Sequence, residues 1–493
     1  MTTSNKPRLN LLALTVPNIR ILHFTWLAFF ISFYVWFNMA PLMGTIRDSM
    51  GLTSQQVKTL LILNLALTIP ARVIIGMLVD KFGPRLTYSL LLMSSGALCL
   101  IFAMAQDFQT LALTRFLLGF VGAGFVIGIR MISEWFPARQ TGIAQGIYGG
   151  WGNFGSAGAA LSLPALTLWL GGDDGWRYAV AMTGVIALVY GTIYYFIVSD
   201  TPKGSTYFKP KKVGAMEISS PGDFLLYCLM QLPIFAALGV LAWKLSLPNV
   251  GLLGDTTKWA VYALLAVLYI YQVYHIYKVN GHVFRHETPE IDRYEFRQVA
   301  VLDLAYMVTF GSELAVVSML PLFLMDTYKL SLPMAGLLAA SFAFTNFIAR
   351  PGGGWISDRF GRKKSLLILL TGLVLGYVAL SSITPAIPLP LAILFVIGCS
   401  LFVNAGNGAV YAVVPLIKRR MTGQIAGMVG AFGNVGGVTF LTVLSFVTPH
   451  LFFLTIAGAA LFTLICVLLF LREPKGQMAE VLPDGTVQMI DVN

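Results

Sequence analysis

The chain has 493 residues, of which 57% are apolar and only 11% charged, with a mean hydropathy of +0.77. A soluble protein carries about a quarter charged residues, so this chain cannot cover a globule of its length with polar surface. A soluble enzyme and a disordered scaffold are both excluded. The formal net charge of +11 does not mark a nucleic-acid binder, because the 33 Lys and Arg punctuate apolar runs instead of forming a tail or one basic face. Cys99, Cys228, Cys399 and Cys466 fall inside apolar segments without metal-ligand spacing, which predicts no disulfide framework, metal site or cofactor.

The N-terminus is polar through Arg20, and Ile21 to Ile46 then carry no charge. That run is too long for a signal-peptide core and reads as a retained first span. A span needs about 20 mostly apolar residues, and fourteen segments qualify: 21–44, 59–79, 86–106, 110–133, 142–167, 178–198, 223–246, 257–278, 298–324, 333–353, 365–384, 388–414, 422–447 and 450–471. They predict an all-α polytopic membrane protein. Its parts are a cytoplasmic tail (1–20), a six-helix half (21–198), a linker with two extra helices (199–297), a second six-helix half (298–471) and a C-terminal cytoplasmic tail (472–493). With both termini inside, only Arg47, Lys58, Arg177, Lys244, Lys258 and Lys329 fall on the outer face and only Arg72, Arg115 and Arg350 within spans. The remaining basic residues are cytoplasmic, as the positive-inside rule requires.

The chain also repeats itself. Gly76-Met-Leu-Val-Asp80-Lys81-Phe-Gly83-Pro-Arg85 after span 2 returns as Gly354-Trp-Ile-Ser-Asp358-Arg359-Phe-Gly361-Arg362-Lys363 after span 10, offset by 278 residues. Arg72 and Arg350 precede the two copies in the same register. Gly146, Gly149, Gly152, Asn153 and Gly155 of span 5 return as Gly427, Gly430, Gly433, Asn434 and Gly436 of span 13, offset by 281. Two parallel halves with a two-helix insert satisfy both offsets, since an even number of inserted spans preserves orientation. Each Gly-Asp-basic loop reads as a cytoplasmic turn and conformational latch, carried by Gly76, Asp80, Gly83 and Arg85 and by Gly354, Asp358, Gly361 and Arg362. Gly150-Trp-Gly152-Asn-Phe-Gly155 matches a dinucleotide-binding fingerprint, but it lies in an apolar helix with no preceding strand and is rejected as one.

An arginine at bilayer centre costs about 2.5–3.5 kcal/mol on the translocon scale, so it needs a partner or a wet cavity. Arg72 and Arg350 each lie eight residues before the loop aspartate, about 12 Å deep, close to the middle of the bilayer. Acids are scarce at that depth. Glu134 is four residues from Arg130 and predicts a local helix pair, and Asp303 is near the start of span 9, which leaves Glu313 as the intramembrane carboxylate. Two cations against one acid favour an anion, and the planar guanidinium fork suits a planar oxyanion. Gly146, Gly149, Gly152, Gly155 and Gly158 recur every third residue and predict a strip along one helix face, with the Asn153 amide set into it. Close helix packing accounts for the glycines but not for Asn153.

The paired loops resemble the hallmark motif of the major facilitator superfamily, and Arg115-x-x-x-Gly119 resembles a weaker one. Within that superfamily the chain closely resembles the nitrate/nitrite porters: Gly150 to Gly155 and, with Ala431 replacing a Gly, Gly430 to Gly436 match their glycine signatures. Tyr306-Met-Val-Thr-Phe310-Gly311-Ser312 matches their first helix of the second half, and Arg72 and Arg350 match their paired arginines. The resemblance implies a transporter, not an enzyme, that binds its anion through Arg72, Arg350 and Asn153 between Tyr306, Phe310 and Phe125. It leaves gating or packing to Gly149, Gly150, Gly152, Gly155, Gly430, Gly433, Asn434 and Gly436.

The expected activity is therefore import of nitrate, with nitrite also accepted, by alternating access in the inner (plasma) membrane. Its partners are these anions, protons and membrane lipid, and no protein partner is named by the residues. Nitrate entering an inside-negative cell moves uphill by about 2.3 kcal/mol per 100 mV. Proton symport through Glu313 or exchange for internal nitrite could supply that energy. A porter of small organic anions such as formate or oxalate and, more remotely, a membrane sensor are the competing readings.

Overall fold

A computed structural model describes residues 10–136, 138–171, 174–204, 215–285, 287, 293–418, 422–473, 477–481 and 487–491. The side chains of Asp80 and Asp358 lie outside the described residues.

Fourteen helical segments are long and apolar enough to cross a membrane. The first six are Pro17–Met50, Ser54–Gly76, Pro84–Ala103, Phe108–Ile132, Ala144–Gly171 and Gly175–Ile197, called spans 1–6. Spans 7 and 8, the insert, are Pro221–Ser246 and Asp255–Phe284. Spans 9–14 are Phe296–Tyr328, Leu332–Ser357, Arg362–Ser381, Leu389–Val413, Gln424–Leu444 and Pro449–Phe470. All fourteen expected spans are present, with ends displaced by a few residues where caps decide them. Span 2 starts five residues earlier than expected because Thr53 accepts from the Gln56 amide at 3.2 Å while the Gln56 side chain accepts from the Thr53 amide at 2.9 Å. This reciprocal bonding satisfies two donors that a helix start leaves orphaned.

The repeat extends to the helix breaks. Span 2 divides at Leu67, between Ser54–Ala66 and Thr68–Phe82, and span 10 divides at Thr345, between Leu332–Phe344 and Asn346–Phe360. Each break falls five residues before the arginine of its half. Span 5 also divides, with Asn153 the last residue of one helix and Gly155 the first of the next, whereas span 13 runs unbroken past Asn434.

The Gly-Asp-basic loops turn at Gly83 (φ 89°) and Gly361 (φ 96°), where only glycine is unstrained. Each is tied to the end of its own half. The Asp200 carboxylate, just past span 6, accepts the Arg85 amide at 2.7 Å, and Glu473, just past span 14, accepts the Arg362 and Lys363 amides at 2.7 Å each. Both acids therefore cap the positive start of a following helix. Burial pushes the Asp200 carboxyl up, and the Arg85 amide and charge pull against it. Replacing Gly83 by alanine forces a Cβ into left-handed backbone and within 2.6–2.7 Å of the Asp200 carboxylate. The expected result is a loss of about 1–2 kcal/mol, read as a lower melting temperature of the purified protein.

The insert is not symmetric in its packing. Span 7 packs on spans 2, 9 and 13, while span 8 packs on span 7 and is otherwise almost wholly exposed on its sides. At the C-terminal end of span 7, buried Lys244 donates to Gln55 of span 2 at 2.6 Å and lies 4.7 Å from the Phe446 ring. Gln55 donates in turn to the Ser445 carbonyl at 3.0 Å. Arg47 pairs with Asp326 at 3.2 Å, so polar contacts join the halves at this end of the bundle as well. The C-terminal tail departs from the helical plan: Gln477–Val481 (β1) pairs antiparallel with Val487–Asp491 (β2). The alternating Gln-Met-Ala-Glu-Val and Val-Gln-Met-Ile-Asp around Pro-Asp-Gly carried that signal.

Candidate anion site between the halves

The two arginines occupy equivalent places and reach across to the opposite half. Arg72 Nη1 donates to the Gly430 carbonyl at 2.6 Å. A Cβ at Gly149, the pseudo-symmetric residue, would lie 4.0 Å from Arg350 Nε. Arg350 Nη2 donates to the Tyr306 hydroxyl at 2.8 Å. Both guanidinium groups are buried, 5% and 7% exposed, and among the described residues neither forms an ion pair with a carboxylate. Arg72 Nε and Arg350 Nη1 are buried without any hydrogen-bond partner.

Phe310 sits between the two cations, 5.7 Å from the Arg72 carbon and 5.6 Å from that of Arg350. Phe125 lies 5.6 Å from Arg72. Ring faces at this distance stabilise a guanidinium without neutralising it. Tyr306 stacks on Phe310 with centroids 4.9 Å apart, one helical turn away on the same face of span 9. Tyr411 of span 12, which the sequence reading omitted, stands edge-on to both Tyr306 (5.0 Å) and Phe125 (5.9 Å) and closes the aromatic wall. One more tyrosine among 19 offered no separate signal.

Asn153 is 1% exposed, and neither its amide nitrogen nor its oxygen has a partner. Its place at the helix break of span 5 keeps it from the backbone bond made by its counterpart, since Asn434 donates to the Gly430 carbonyl at 3.2 Å, the same oxygen that Arg72 uses. The repeat is thus equal in sequence but not in chemistry: one asparagine is free, the other is tied into its helix.

The glycines do not form one strip. At a period of three, successive residues drift around the helix by about 60°, and the structure shows the result. Gly149 and Gly150 approach Phe125, Arg350 and Pro351 of span 10, whereas Gly152, Gly155 and Gly158 approach Phe29, Phe30 and Phe33 of span 1. Gly433 lies against Phe310 and Tyr306, and Gly436 against Met307 and Gly311. A Cβ at Gly430 would come within 2.9 Å of Arg72 Nη1. Of the latch glycines, Gly76 stands 3.6 Å from Val126 and Gly354 3.7 Å from the Gly408 carbonyl, both ordinary contacts for a Cβ.

Glu313 is buried beside this site, but Asn346 and Asn407 hold it. Their amides donate to its two oxygens at 2.5 and 2.6 Å. Neither asparagine was singled out by sequence, because their helices approach span 9 from distant parts of the chain. Asn346 precedes Arg350 by four residues on one helix and so links the carboxylate to the arginine's own helix. Arg115 belongs elsewhere: it is fully buried in the first half, bonded to Asn38 (2.9 Å), Asn64 (2.7 Å) and the Trp36 carbonyl. Arg130 and Glu134 pair locally at 2.8 Å, as their spacing predicts.

The family model of the Major Facilitator Superfamily matches residues 25–282 and 302–487. The chain is 47% identical to the nitrate/nitrite transporter NrtP of a Picosynechococcus strain, over 95% of this chain and 96% of that one. It is likewise 47% identical to the nitrate/nitrite transporter NrtP of Nostoc punctiforme, over 93% of each. The chain belongs to the major facilitator superfamily, within its nitrate/nitrite porter family. Among solved structures, the porter resembles the partially occluded, inward-open xylose transporter XylE of E. coli with a TM-score of 0.59 at 15% identity, over 93% of this chain and all of that one. At that identity the likeness concerns the fold alone. The porter is thus a multi-pass membrane transporter and not an enzyme, with its two halves on the common twelve-span plan and spans 7 and 8 added between them.

Proposed function

We propose that this porter carries nitrate, and nitrite with it, across the inner (plasma) membrane by alternating access around Arg72 and Arg350, with both termini in the cytoplasm. One observation carries the reading: Arg72 Nε and Arg350 Nη1 are buried and unpartnered in two cations that, among the described residues, have no carboxylate ion pair, and the whole Asn153 amide is buried and unpartnered at the helix break of span 5. Buried donors of this kind are costly unless a ligand completes them. A small planar oxyanion offers in-plane acceptors to both forks and a flat face to Phe310. Without it the like charges oppose approach of the halves, and with it they are screened, so that closure follows occupancy.

Glu313 is the proton carrier in this reading. While it is ionised it partly offsets Arg350, and its protonation leaves both arginine charges to the anion. Its two asparagines suit either state, because an amide turned by half a rotation accepts where it formerly donated. The test is nitrate uptake into proteoliposomes, driven either by an inward proton gradient or by preloaded nitrite. The wild type is expected to respond to the proton gradient and Glu313→Gln to lose that response. Uptake that needs internal nitrite and survives Glu313→Gln would make the protein an exchanger. Absence of nitrate flux in both formats, with flux of formate or oxalate, would transfer the site to organic anions.

A further inference from the structure

Asp303 lies seven residues into span 9, about 10 Å along the helix from its cytoplasmic start. It is 0% exposed, and both of its carboxylate oxygens are buried without a hydrogen-bond partner. Among the described residues no other acid is left in that condition. The spacing of Asp303, Tyr306, Met307 and Phe310 places them on one helix face. Tyr306 and Phe310 meet Gly433, and Met307 meets Gly436, so this face packs on span 13. Asp303 therefore continues the site's aromatic stripe toward the cytoplasm.

Among the described residues no cation is paired with it. Span 13 carries no titratable side chain from Gln424 to Leu444. Span 7 contributes Asp223, which accepts the Phe296 amide at 3.1 Å at the start of span 9, Tyr227 and Cys228, with Lys244 at its far end. Spans 10, 12 and 14 also pack on span 9; span 10 carries Arg350, and spans 12 and 14 carry Cys399, Tyr411 and Cys466 and, at the outer end, His450. Glu295 and Arg297 at the cytoplasmic mouth pair with each other at 2.8 Å, and Arg350 is engaged with Tyr306 one turn nearer the site. An ionised carboxylate without hydrogen bond or counter-charge is among the costliest groups a membrane interior can hold, while the neutral acid costs far less.

We propose that Asp303 is a further proton-binding group of the transport cycle, holding its proton while the anion is bound and releasing it to cytoplasmic water as the inner side opens. The proposal rests on the proton-coupled reading given above. In the release step the O–H bond breaks, its electron pair stays on the carboxylate oxygen and the proton passes to water. The new charge then stands about 10 Å along span 9 from Phe310 of the site, a separation at which an effective dielectric of about 20 weakens anion binding roughly tenfold. Proton loss and anion release to the cytoplasm are thereby joined.

The test is the affinity of the purified full chain for nitrate, measured by calorimetry from mildly acidic to alkaline pH for wild type, Asp303→Asn and Glu313→Gln. Wild-type affinity is expected to fall as pH rises. Asp303→Asn, which imitates the neutral acid, is expected to keep the acidic-pH affinity and lose about a tenfold part of that fall. If Asp303→Asn keeps the wild-type profile while Glu313→Gln flattens it, the Asp303 proposal is overturned and the proton-coupled reading stands. If the wild type shows no pH dependence, both fall. Should the asparagine variant not fold, the infrared spectrum of Glu313→Gln decides: a carboxylic-acid carbonyl band at neutral pH that is lost in deuterated alkaline buffer supports the proposal, and absence of any such band overturns it.

Discussion

Replacing Arg350 by lysine is expected to weaken nitrate binding about 100-fold or more, although the charge is kept. The Arg350 fork serves two directions: one nitrogen is spent on the Tyr306 hydroxyl at 2.8 Å, and Nη1 is left buried and unpartnered. A lysine ammonium is a point donor that cannot hold Tyr306 and a planar anion in the same fixed geometry. Removing one partner of a buried charged contact costs about 3–5 kcal/mol, which is the stated loss in affinity. Arg72→Lys is expected to behave alike, because Arg72 spends Nη1 on the Gly430 carbonyl at 2.6 Å and keeps Nε free. Calorimetry on the purified variants, with circular dichroism to confirm the fold, checks both. Unchanged affinity in either lysine variant would remove the guanidinium geometry from the account.

Gly311→Ala is expected to be a strongly damaging single methyl at the crossing of spans 9 and 13. Its Cβ would stand 2.7 Å from the Gly436 Cα and 2.8 Å from the Gly433 carbonyl, so backbone meets backbone and no flexible side chain can yield. Spans 9 and 13 must move apart, and overpacking of this kind costs about 1–3 kcal/mol. The displaced surface carries Tyr306 and Phe310, so uptake is expected to fall about tenfold or more together with the melting temperature. Gly146→Ala is the paired control, since a Cβ there meets nothing within 4 Å. Equal behaviour of the two variants would sink the close-crossing argument.

Much of this molecule was legible before any coordinates, because a bilayer forces spans to show as apolar runs and a duplicated half shows as an offset. Arg72 and Arg350 stood out because charge at midplane is costly, and Asn153 because an amide among glycines has no packing reason. What stayed hidden were relations between distant segments. The two asparagines that hold Glu313 come from spans 10 and 12, and nothing local to Asn346 or Asn407 announces a carboxylate partner. The glycine strip failed for a geometric reason, since a period of three winds around a helix of 3.6 residues per turn. Asp303 was read as lying near a helix start, but the helix begins seven residues earlier and neighbouring helices seal the side chain completely. Asp200 and Glu473 did leave a trace, for each is followed by Pro-Lys-Gly, directly at Glu473 and after Thr201 at Asp200.

The Lys244 ammonium, held by Gln55 and the Phe446 ring while Gln55 also holds the Ser445 carbonyl, bears on timing more than on recognition. Span 7 packs mostly on the second half, yet this side chain grips a helix of the first. In the proposed alternating-access cycle, opening on this side would have to break that grip and rehydrate the cation. Such a step adds to the barrier between the two faces without touching the anion. On the proposed mechanism, the inserted helices would set the turnover clock of the carrier, while its choice of cargo would stay with the arginines.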